Sequence, residues 1–468
     1  MKIEQIYTSC LAQGAYFISS NGEAVVIDPL REIQPYIERA KADNVKINYI
    51  LETHFHADFV SGHVDLAKAT GAKIVYGPNA KPSFEFHSAK DGELLKVGDI
   101  TFKVLHTPGH TMESTCYLLI DEGGKELALF SGDTLFIGDV GRPDLAQKSA
   151  LMTQEELAGI LYDCLHEKII PLPDSVVVYP AHGAGSACGK NMSKETTDIL
   201  GNQKATNYAL RADMSKVDFV KEVTDGLLPP PGYFGMNVAM NKNGYDSIQE
   251  VMSRGLKKLS VQAFEAAANE TDAIVLDTRN SMEFSKGFIP NSISIGLEGQ
   301  FAPWVGALIP DVKQEILLIT EPGKEEETVK RLARVGYDYV IGYLVGGIEA
   351  WKNAGKEVDS IGRITAEEFA IQFEEKLIVI DVRKPGEFSS EHVENAISIP
   401  LDFINNHMSE FPKEQPFIIH CAGGYRSIIA GSILKSRGFN NFVDVIGGYG
   451  AISKTTVPKT DFVCPTMK

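Results

Sequence analysis

The sequence lacks the features of membrane, secreted and nucleic-acid-binding proteins. Nowhere in its 468 residues do about 18 apolar residues, the minimum for crossing a bilayer, follow one another. The first residues, MKIEQIYTSCLAQGAYFI, contain no basic segment leading into an apolar one, so we expect no secretory signal and a cytoplasmic location. Basic residues number 45 against 62 acidic ones, and the net charge of −17 repels phosphate backbones and anionic membranes. We therefore expect neither nucleic acid nor a membrane as a partner.

Cysteine is also scarce, and its spacing excludes two kinds of stabilised fold. The six cysteines show no paired spacing, which argues against a disulfide framework and against a structural zinc site. We expect most of them to be buried apolar thiols, so any chemical role must be argued from the local sequence. They are Cys10, Cys116, Cys164, Cys188, Cys421 and Cys464.

The length of the chain predicts more than one domain, because hydrophobic cores stop growing at roughly 250 to 300 residues. Its composition, 44% apolar and 23% charged, is that of a globular protein. Three consecutive prolines at 229–231, within GLLPPPGYFGMNVAMNKNGY, can continue neither a helix nor a central strand and predict a domain boundary. We place three domains at residues 1–240, 241–358 and 359–468.

The first half of the chain alternates short β-branched runs with turn signals, as in EAVVIDP, KINYILETH, ITFKVLHTPGH, LALFSGD and SVVVYPAHG. Several of these runs end in histidine or aspartate. Polar residues at the ends of buried strands are how α/β proteins build sites in the loops beyond their sheets. We therefore predict an α/β fold with a site at the strand ends.

The second half contains an internal repeat. IVLDTRNSMEFSKGFIPNSISIGL at 274–297 matches IVIDVRKPGEFSSEHVENAISIPL at 378–401, and Asp277 and Asp381 stand at equivalent positions. Further along, VIGYLVGGIEAW matches VDVIGGYGAI. The repeat predicts two domains of about 100 residues, each with alternating strands and helices.

Ligand-type residues cluster in four motifs of the first half. The segment 53–59, THFHADF, places two histidines and an aspartate directly after the apolar run NYIL, and further motifs are TPGHT, SGDTLF and YPAHG. Imidazole and carboxylate groups gathered at one edge of a sheet make a site for a borderline transition metal. The candidate ligands are His54, His56, Asp58, His110, Asp133 and His182.

These motifs resemble those of the metallo-β-lactamase superfamily, whose T-H-x-H-x-D-H motif, later histidine, bridging aspartate and final histidine usually hold two zinc ions. The resemblance implies an αββα sandwich. One position departs from it, because Phe59 stands where the motif has its last histidine. Without that imidazole the second metal position keeps only Asp58, His182 and a share of Asp133, so we expect a single metal ion.

Within the superfamily, TPGHT followed by SGDTLFIGDVGRPDL is most similar to the persulfide dioxygenases. The resemblance implies one Fe(II) per chain, held by His54, His110 and Asp133, and no organic cofactor. Such a facial set of two histidines and one carboxylate leaves three adjacent positions for a sulfur ligand and dioxygen, which suits a non-haem oxygenase.

The same resemblance gives four further residues supporting roles. His56, Asp58 and His182 would orient ligands and water around the metal. Arg142, in VGRPD, takes the place of the family's substrate-binding arginine, whose guanidinium can pair with a carboxylate of the persulfide carrier. The alternative for Arg142 is an ordinary surface salt bridge.

Cys188, in AHGAGSACGK, lies shortly after His182. Glycine-rich backbone and the nearby Lys190 can depress the pKa of a thiol and make it reactive. We therefore include Cys188 among the candidate catalytic residues, with a buried spectator thiol as the alternative.

In the last domain the apolar run PFIIH leads into Cys421-Ala-Gly-Gly-Tyr-Arg426-Ser427, followed by a predicted helix. A cysteine at a strand end, surrounded by backbone N–H groups beside an arginine and a helix N-terminus, lies in positive potential that favours a nucleophilic thiolate. This loop resembles that of the rhodanese family, which begins with cysteine and ends with arginine, so it implies catalytic roles for Cys421 and Arg426. Phosphatase loops are similar but longer, and a buried structural cysteine is the remaining alternative.

The middle domain departs from the rhodanese pattern. Aligning ILLITEPGKEEET at 316–328 with FIIHCAGGYRSII, we expect Glu321 where Cys421 stands and a loop that carries the glutamates 325–327. These charges oppose binding of a persulfide or sulfite. We therefore predict a catalytically silent rhodanese homologue that serves as a spacer or docking surface.

Taken together, the three parts resemble bacterial fusions of a persulfide dioxygenase with tandem rhodanese domains. The resemblance implies oxidation of a thiol persulfide by O2 to sulfite at Fe(II), with sulfane sulfur carried on Cys421 and thiosulfate formed or used, in sulfide detoxification. The expected partners are O2, sulfite, thiosulfate and a persulfide of glutathione, coenzyme A, bacillithiol or inorganic sulfur, and the family favours a homo-oligomer. A thioester hydrolase resembling glyoxalase II, fused to a sulfurtransferase, is the first alternative, and a sulfur-sensing interaction module is the second.

Overall fold

A computed structural model describes residues 1–227, 229–373 and 376–463, and side chains throughout these ranges except at 148 and 149. Cys464, one of the six cysteines, lies outside the described residues. The chain divides into two compact units. The first holds residues 1–248 with 333–336, and the second holds the rest of the described chain.

The first unit contains two six-stranded sheets, in the orders β1-β2-β3-β4-β5-β6 and β12-β11-β10-β9-β8-β7. In the first sheet β3, β4 and β5 pair in parallel, and in the second β10 pairs in parallel with β11. The strands are β1 Lys2–Thr8, β2 Gln13–Ser20, β3 Glu23–Ile27, β4 Lys46–Leu51, β5 Lys73–Tyr76, β6 His87–Ser88, β7 Leu94–Val97, β8 Ile100–His106, β9 Thr115–Ile120, β10 Glu126–Gly132, β11 Val177–Pro180 and β12 Asp198–Ile199.

The described α-helices of this unit are α1 Gln34–Ala42, α2 His63–Thr70, α3 Gln147–Ala150, α4 Gln154–Cys164, α5 Leu200–Thr206, α6 Lys216–Thr224 and α7 Phe234–Asn243. One buried cluster joins the inner faces of both sheets, through residues such as Ile18 and Phe102. Two further clusters join each outer face to its helices, for example Leu66 of α2 and Leu161 of α4. The predicted αββα sandwich is confirmed.

The second unit contains two five-stranded parallel sheets with the same order, β13-β17-β16-β14-β15 and β18-β22-β21-β19-β20. The repeat predicted from the sequence is therefore a repeat of topology. The strands are β13 Lys258–Leu259, β14 Ile274–Asp277, β15 Ile293–Ser294, β16 Ile316–Ile319, β17 Val340–Leu344, β18 Arg363–Ile364, β19 Ile378–Asp381, β20 Ile397–Ser398, β21 Phe417–His420 and β22 Phe442–Val445. The helices are α8 Ile248–Gly255, α9 Val261–Glu270, α10 Ser281–Lys286, α11 Phe301–Leu308, α12 Glu325–Arg334, α13 Gly347–Asn353, α14 Ala366–Gln372, α15 Pro385–Ser390, α16 Tyr425–Ser436 and α17 Gly448–Ile452.

The two repeats share one buried ion pair at equivalent positions. Asp277 ends β14 and binds Arg279, and Asp381 ends β19 and binds Arg383. All four side chains are buried. Since a buried charge is tolerated only when it is paired and hydrogen-bonded, the D-x-R pattern of the repeat fixes the same turn in both modules.

The proline-rich stretch is followed by a helix rather than by a linker. α7 runs from Phe234 to Asn243 and belongs to the first compact unit, which ends at Ile248. The predicted boundary at 240 falls inside this helix. The three domain ranges therefore stay predictions, and the contact pattern favours a later end for the first domain.

None of the described helices is long and apolar enough to span a bilayer. The five described cysteines are free thiols, and all but Cys10 are buried. Burial raises the pKa of Cys116 to about 11 and that of Cys164 to about 12. These two residues are the buried apolar thiols that the sequence predicts.

Replacing Leu118 by alanine tests the hydrophobic core between the second sheet and the helices on its outer face. Leu118 is fully buried there, so the substitution should lower the free energy of unfolding of the first unit by about 2 to 5 kcal/mol, through lost transfer free energy and a cavity. Leu151→Ala is the control, because that leucine is 92% exposed. Urea denaturation followed by circular dichroism measures both, and equal midpoints for the two variants would contradict the assigned burial.

Candidate active sites

The candidate metal ligands follow four strand ends at one edge of the sandwich. His54, His56 and Asp58 come after β4, His110 after β8, Asp133 directly after β10 and His182 after β11. All six side chains are buried. The structure therefore brings together the residues that the sequence predicts as one site.

Gly132 allows two of these strand ends to approach closely. Its φ is +52°, and a Cβ at this position would lie 2.6 Å from the Cβ of Thr53. Only glycine tolerates both the left-handed backbone and this contact. Asp133 is thereby brought beside His54.

A hydrogen-bond chain fixes the tautomer of His54. The Thr53 hydroxyl donates to Asp28 Oδ2 at 2.8 Å and lies 3.0 Å from His54 Nδ1. Because that hydroxyl proton is already donated, the hydroxyl oxygen accepts from Nδ1–H and leaves a lone pair on Nε2. Burial and the neighbouring His56 lower the pKa of His54 well below its usual value, so the imidazole stays neutral.

His110 is oriented in the same way by a backbone carbonyl. Its Nδ1 lies 2.8 Å from the carbonyl oxygen of Arg142 and donates to it. Gly141 makes this approach possible, since a Cβ there would lie 2.0 Å from the Asp133 carbonyl oxygen and 2.9 Å from His110 Nδ1. The Nε2 of His110 is therefore also free to bind a cation.

Three ligand atoms converge on one point. Asp133 Oδ2 lies 3.8 Å from His54 Nε2 and 3.4 Å from His110 Nε2, whereas donors bound at about 2.1 Å to one ion lie roughly 3 to 3.5 Å apart. Among the described residues none donates a hydrogen bond to this Oδ2, which is buried. Because an unpaired buried carboxylate oxygen is costly, the donor set fits a divalent transition metal.

His56, Asp58 and His182 form a second group whose ligand atoms lie within 4.8 Å of one another. His182 bridges the two groups, with Nδ1 2.7 Å from Asp133 Oδ1 and Nε2 2.8 Å from Asp58 Oδ2. Burial lowers the pKa of His182, but Asp133 and Asp58 overcome this and raise it well above its usual value.

Phe59 occupies the position beside this second group. It is fully buried, and its ring centroid lies 4.3 Å from that of His56 and 6.4 Å from that of His182. The side chain therefore packs against the second group without adding a ligand atom to it.

Arg142 is buried rather than part of a surface salt bridge. Its Nε and Nη2 each lie 2.7 Å from a carboxylate oxygen of Asp144, and Nη1 donates to the Ala187 carbonyl. The guanidinium of Arg142 is held rigidly next to the loop that orients His110. A role in binding the substrate carboxylate stays a prediction.

Cys188 does not have the depressed pKa that we expected. Burial, reinforced by Asp58 and Asp133, raises the pKa of its thiol well above the usual value. Lys190 does not offset this increase in the pKa of Cys188, because its Nζ donates to the backbone carbonyls of Glu222 and Asp225. The thiol nevertheless lies within 4.8 Å of ligand atoms of Asp133 and His182, and its catalytic role stays a prediction.

Asn241, which no sequence motif predicts, holds the loop that carries His56 and Asp58. Its Nδ2 donates to the carbonyls of His56 and Phe59, and its Oδ1 accepts from Ser61 N–H, each at 2.8 Å. The residue is buried on α7, beyond the predicted boundary. Asn237, four residues earlier on the same face, is also buried, and this spacing of two asparagines was the available signal.

Asp28, at the end of β3, was also missed as a positioning residue. Its Oδ1 accepts a hydrogen bond from Thr53 N–H at 2.8 Å and lies 3.1 Å from His56 Nε2. Glu52 lies beside it, and burial together with Asp28 raises the pKa of Glu52 well above its usual value. A carboxyl kept neutral in this way can donate as well as accept hydrogen bonds.

In the last module Cys421 lies between the end of β21 and the start of α16. Its Sγ is 3.1 Å from the donating Gly424 N–H and 3.4 Å from the Ser427 hydroxyl. Gly448 permits the loop to close, because a Cβ there would lie 2.3 Å from the Cys421 carbonyl oxygen. The structure thus supplies the donors that stabilise a thiolate or a bound persulfide.

Arg426 forms a two-pronged ion pair with Glu387, with N–O distances of 2.6 and 2.8 Å. Burial raises the pKa of Glu387, but Arg426 overcomes this and holds it below the usual value. This pair fixes the guanidinium at the rim of the cysteine loop. Its part in catalysis stays a prediction.

The expected position of Glu321 is wrong by one residue. Asp277 pairs with Ile319 in the middle sheet as Asp381 pairs with His420 in the last. Thr320 therefore stands where Cys421 stands, and Glu321 corresponds to Ala422. A threonine hydroxyl does not carry sulfane sulfur, so the middle loop still lacks the nucleophile.

Comparisons with known proteins agree with this architecture. Residues 10–182 match the model of the metallo-beta-lactamase superfamily, and residues 260–354 and 365–455 each match that of the rhodanese-like domain. The crystal structure of a metallo-beta-lactamase from Staphylococcus aureus subsp. aureus COL is 31% identical, with a TM-score of 0.65. That similarity covers 74% of this chain and 98% of the other.

Two relatives carry named activities. A hydroxyacylglutathione hydrolase from Polaromonas sp. is 30% identical over 188 residues, 39% of this chain and 66% of its own length. The human mitochondrial persulfide dioxygenase ETHE1 is 28% identical over 221 residues, 47% of this chain and 78% of its own length. The chain thus spans slightly less than two thirds of the hydrolase.

The fold and sites define a metal-binding αββα sandwich followed by a tandem repeat with one cysteine loop. The chain belongs to the metallo-β-lactamase superfamily and carries two rhodanese-like domains after that fold.

Asn241→Ala tests how the metal-binding loop is held. The substitution removes three hydrogen bonds to the backbone of residues 56–61, so the loop should loosen and release metal to a chelator at least several-fold faster. Asn243→Ala is the matched control, since Asn243 is exposed and bonds only Ser83 among the described side chains. Stopped-flow chelation measures both rates, and identical rates would refute the positioning role.

Proposed function

We propose that the first domain oxidises a low-molecular-weight thiol persulfide with O2 at one Fe(II), and that the last domain transfers sulfane sulfur through Cys421. The single observation that carries this proposal is Phe59, which packs on His56 where the superfamily motif has a metal-binding imidazole. The group His54, His110 and Asp133 combines two imidazoles and one carboxylate, and Phe59 adds no ligand atom to the neighbouring group His56, Asp58 and His182.

This ligand set suits a non-haem iron better than a pair of zinc ions. Two imidazoles and one carboxylate would leave three adjacent coordination positions open for a sulfur ligand and dioxygen. When bound, Fe(II) there would activate dioxygen beside the persulfide sulfur. The 28% identity to the human persulfide dioxygenase supports the same assignment.

The protein's own residues supply orientation and charge. Asp28 through Thr53, and the Arg142 carbonyl, hold the two imidazoles with Nε2 towards the ion. His182 lies between carboxylate oxygens of Asp133, at 2.7 Å, and Asp58, at 2.8 Å, and can hold a proton between them. We assign to Arg142 the binding of the carrier's carboxylate, for which its guanidinium would exchange its present contact with Asp144.

The overall reaction balances without a further reductant. A persulfide R–S–SH, O2 and one water give R–SH, sulfite and two protons. The outer sulfur loses electrons to dioxygen, and the thiol carrier is regenerated. Glutathione, coenzyme A, bacillithiol and inorganic persulfide all offer this outer sulfur.

Sulfur transfer in the last domain would use the product of the first. Sulfite attacks the outer sulfur of the Cys421 persulfide, the S–S bond breaks, and thiosulfate leaves while the Cys421 thiolate keeps the electron pair. The N–H of Gly424 and the hydroxyl of Ser427 lie where they stabilise that thiolate. Fusion of the two domains raises the local concentration of sulfite and persulfide.

We propose three domains at 1–240, 241–358 and 359–468, of which the middle one lacks sulfurtransferase activity. Thr320 in the place of the nucleophile and the acidic first turn of α12 support this assignment. Acidic side chains at a helix N-terminus neutralise the positive potential that a bound anion would need.

Metal content and O2 consumption test the dioxygenase. Protein purified without oxygen should contain about one iron per chain and consume O2 rapidly on addition of glutathione persulfide, and both should be lost in His110→Ala. His87→Ala is the control, because its side chain is 42% exposed and pairs with Glu93. Two zinc ions and no O2 uptake would refute the proposal.

The second candidate is hydrolysis of a glutathione thioester. The convergence of His56, Asp58 and His182 and the 30% identity to a hydroxyacylglutathione hydrolase favour it. A second metal ion would then have to bind at this group without the motif's last histidine. Cleavage of S-lactoylglutathione by the zinc-loaded protein would support this candidate over the first.

Cys421→Ser tests the last domain separately. The protein should convert thiosulfate and cyanide to thiocyanate and sulfite, and the variant should lose at least 1,000-fold of this activity because serine cannot carry the sulfur. Cys10→Ser is the matched control at a half-buried cysteine. Absence of turnover in the unmodified protein would instead favour a sensing or interaction role for this domain.

A further inference from the structure

We propose that Gly299, Gln300 and Trp304 of the silent middle domain form one wall of the cavity at Cys421, which we call the specificity wall. Gln300 and Trp304 on this wall select an organic anionic thiol as the sulfur carrier. This inference rests on the proposed sulfur transfer at Cys421 and adds the substrate class and the residues that recognise it. The middle and last domains lie in one compact unit, so their contacts can be described together.

Helix α16, which begins in the cysteine loop, is anchored to the middle domain. The Tyr425 hydroxyl donates to the Gly296 carbonyl at 2.9 Å. Two turns further along α16, the buried Ser432 hydroxyl accepts a hydrogen bond from Ser294 N–H of β15, also at 2.9 Å. The orientation of the cysteine loop therefore depends on the middle domain.

Two glycines of the middle domain lie beside the ring of Tyr425. The ring of Tyr425 would lie 3.5 Å from a Cβ at Gly296 and 3.5 Å from one at Gly299. Gly299 has φ +96°, which side chains other than glycine rarely adopt. The loop 296–300 thus fits around Tyr425 and leads directly into α11.

The cavity above Cys421 is shared by both domains. Its volume is 430 Å³, within the range of about 300 to 1,000 Å³ in which proteins bind organic ligands. Sulfite and thiosulfate, with four and five heavy atoms, fill only a small part of it. The lining residues are Gly299, Gln300 and Trp304 of the middle domain, and Lys384, Glu387, Cys421, Ala422, Gly423, Tyr425 and Arg426 of the last.

The chemistry of this lining fits a thiol with an organic body and a negative charge. Trp304, which is only 5% exposed, contributes an aromatic side chain to the lining, and Gln300 contributes an exposed amide. Lys384 is exposed, and within the described ranges no carboxylate forms an ion pair with it. Arg426 is already neutralised by Glu387, so Lys384 is the cation that remains to attract a carboxylate.

The transfer step follows from this placement and involves no net redox change. The Cys421 thiolate attacks the outer sulfur of R–S–SH, the new Sγ–S bond forms, and the S–S bond of the donor breaks. R–S⁻ leaves with the electron pair towards Gln300 and Trp304, and Cys421 retains the S–SH group with its proton. Contacts to R are made only by an organic carrier, so the wall discriminates between carriers and inorganic donors.

Kinetics without oxygen test the specificity wall. Two reactions are compared in Trp304→Ala and Trp304→Phe: thiosulfate formation from glutathione persulfide and sulfite, and thiocyanate formation from thiosulfate and cyanide. The ratio of kcat/KM for glutathione persulfide to that for thiosulfate should fall about 10-fold in the alanine variant and less in the phenylalanine variant, which keeps an aromatic surface.

The matched control is Trp351→Phe, at the second of the two tryptophans of the chain. Trp351 is buried in the same domain, where its indole N–H donates to the Glu357 carbonyl, and it does not line the Cys421 cavity. The ratio of kcat/KM for glutathione persulfide to that for thiosulfate should be the same in Trp351→Phe as in the unmodified protein. An unchanged ratio in both Trp304 variants would overturn the proposal.

Fluorescence gives a readout that does not depend on turnover. Trp351→Phe leaves Trp304 as the sole tryptophan, and S-methylglutathione, which cannot donate sulfur, should change its emission in a saturable manner. Trp304→Phe leaves Trp351 alone and should show no such change. A saturable signal from both variants, or from neither, would contradict binding at the wall.

These outcomes separate the two proposals. If the unmodified protein does not turn over thiosulfate at all, sulfur transfer at Cys421 itself is refuted. Normal thiosulfate turnover with an unchanged carrier ratio in the Trp304 variants would refute only the specificity wall.

Discussion

The buried carboxylate of Asp133 is the constraint on which the first domain depends. One of its oxygens lies 2.7 Å from His182, and the other faces the Nε2 atoms of His54 and His110 without a hydrogen bond among the described residues. Such a charge is stable in a protein interior only if cations or donors surround it. Three features bring such partners to the Asp133 carboxylate. They are the hydrogen bonds of Thr53, the close approach at Gly132 and the loop held by Asn241.

In the last domain, backbone N–H groups rather than a metal ion are available to stabilise negative charge on a buried atom. The Sγ atom of Cys421 is surrounded by the Gly424 N–H, the Ser427 hydroxyl and the start of α16. The two repeats differ mainly in this loop. The middle sheet keeps the same strand order and the same buried Asp–Arg pair, yet Thr320 replaces the nucleophile and glutamates begin the following helix.

Residues that follow strand ends were predictable, because short apolar runs mark the strands and the ends of parallel strands meet at one edge. All six candidate ligands come together there, and Cys421 stands where the sequence places it. The expected position of Glu321 was one residue out, because a letter-by-letter match of the two segments already places Thr320 opposite Cys421, as strand pairing does. The pKa of Cys188 was expected in the wrong direction, since burial beside two carboxylates is not visible in its neighbours along the chain.

The sequence by itself determined the order of the αββα sandwich and the two rhodanese-like repeats, the ligand types and the absence of an imidazole at Phe59, since these depend on local pattern and residue identity. Only the tertiary structure decided which atoms face one another. Asn241 reaches back from α7 to the loop at 56–61, and Trp304 of one repeat lines the cavity over the cysteine of the other. Both contacts join residues far apart in the chain, and their geometry follows from packing of whole elements rather than from any short stretch of sequence.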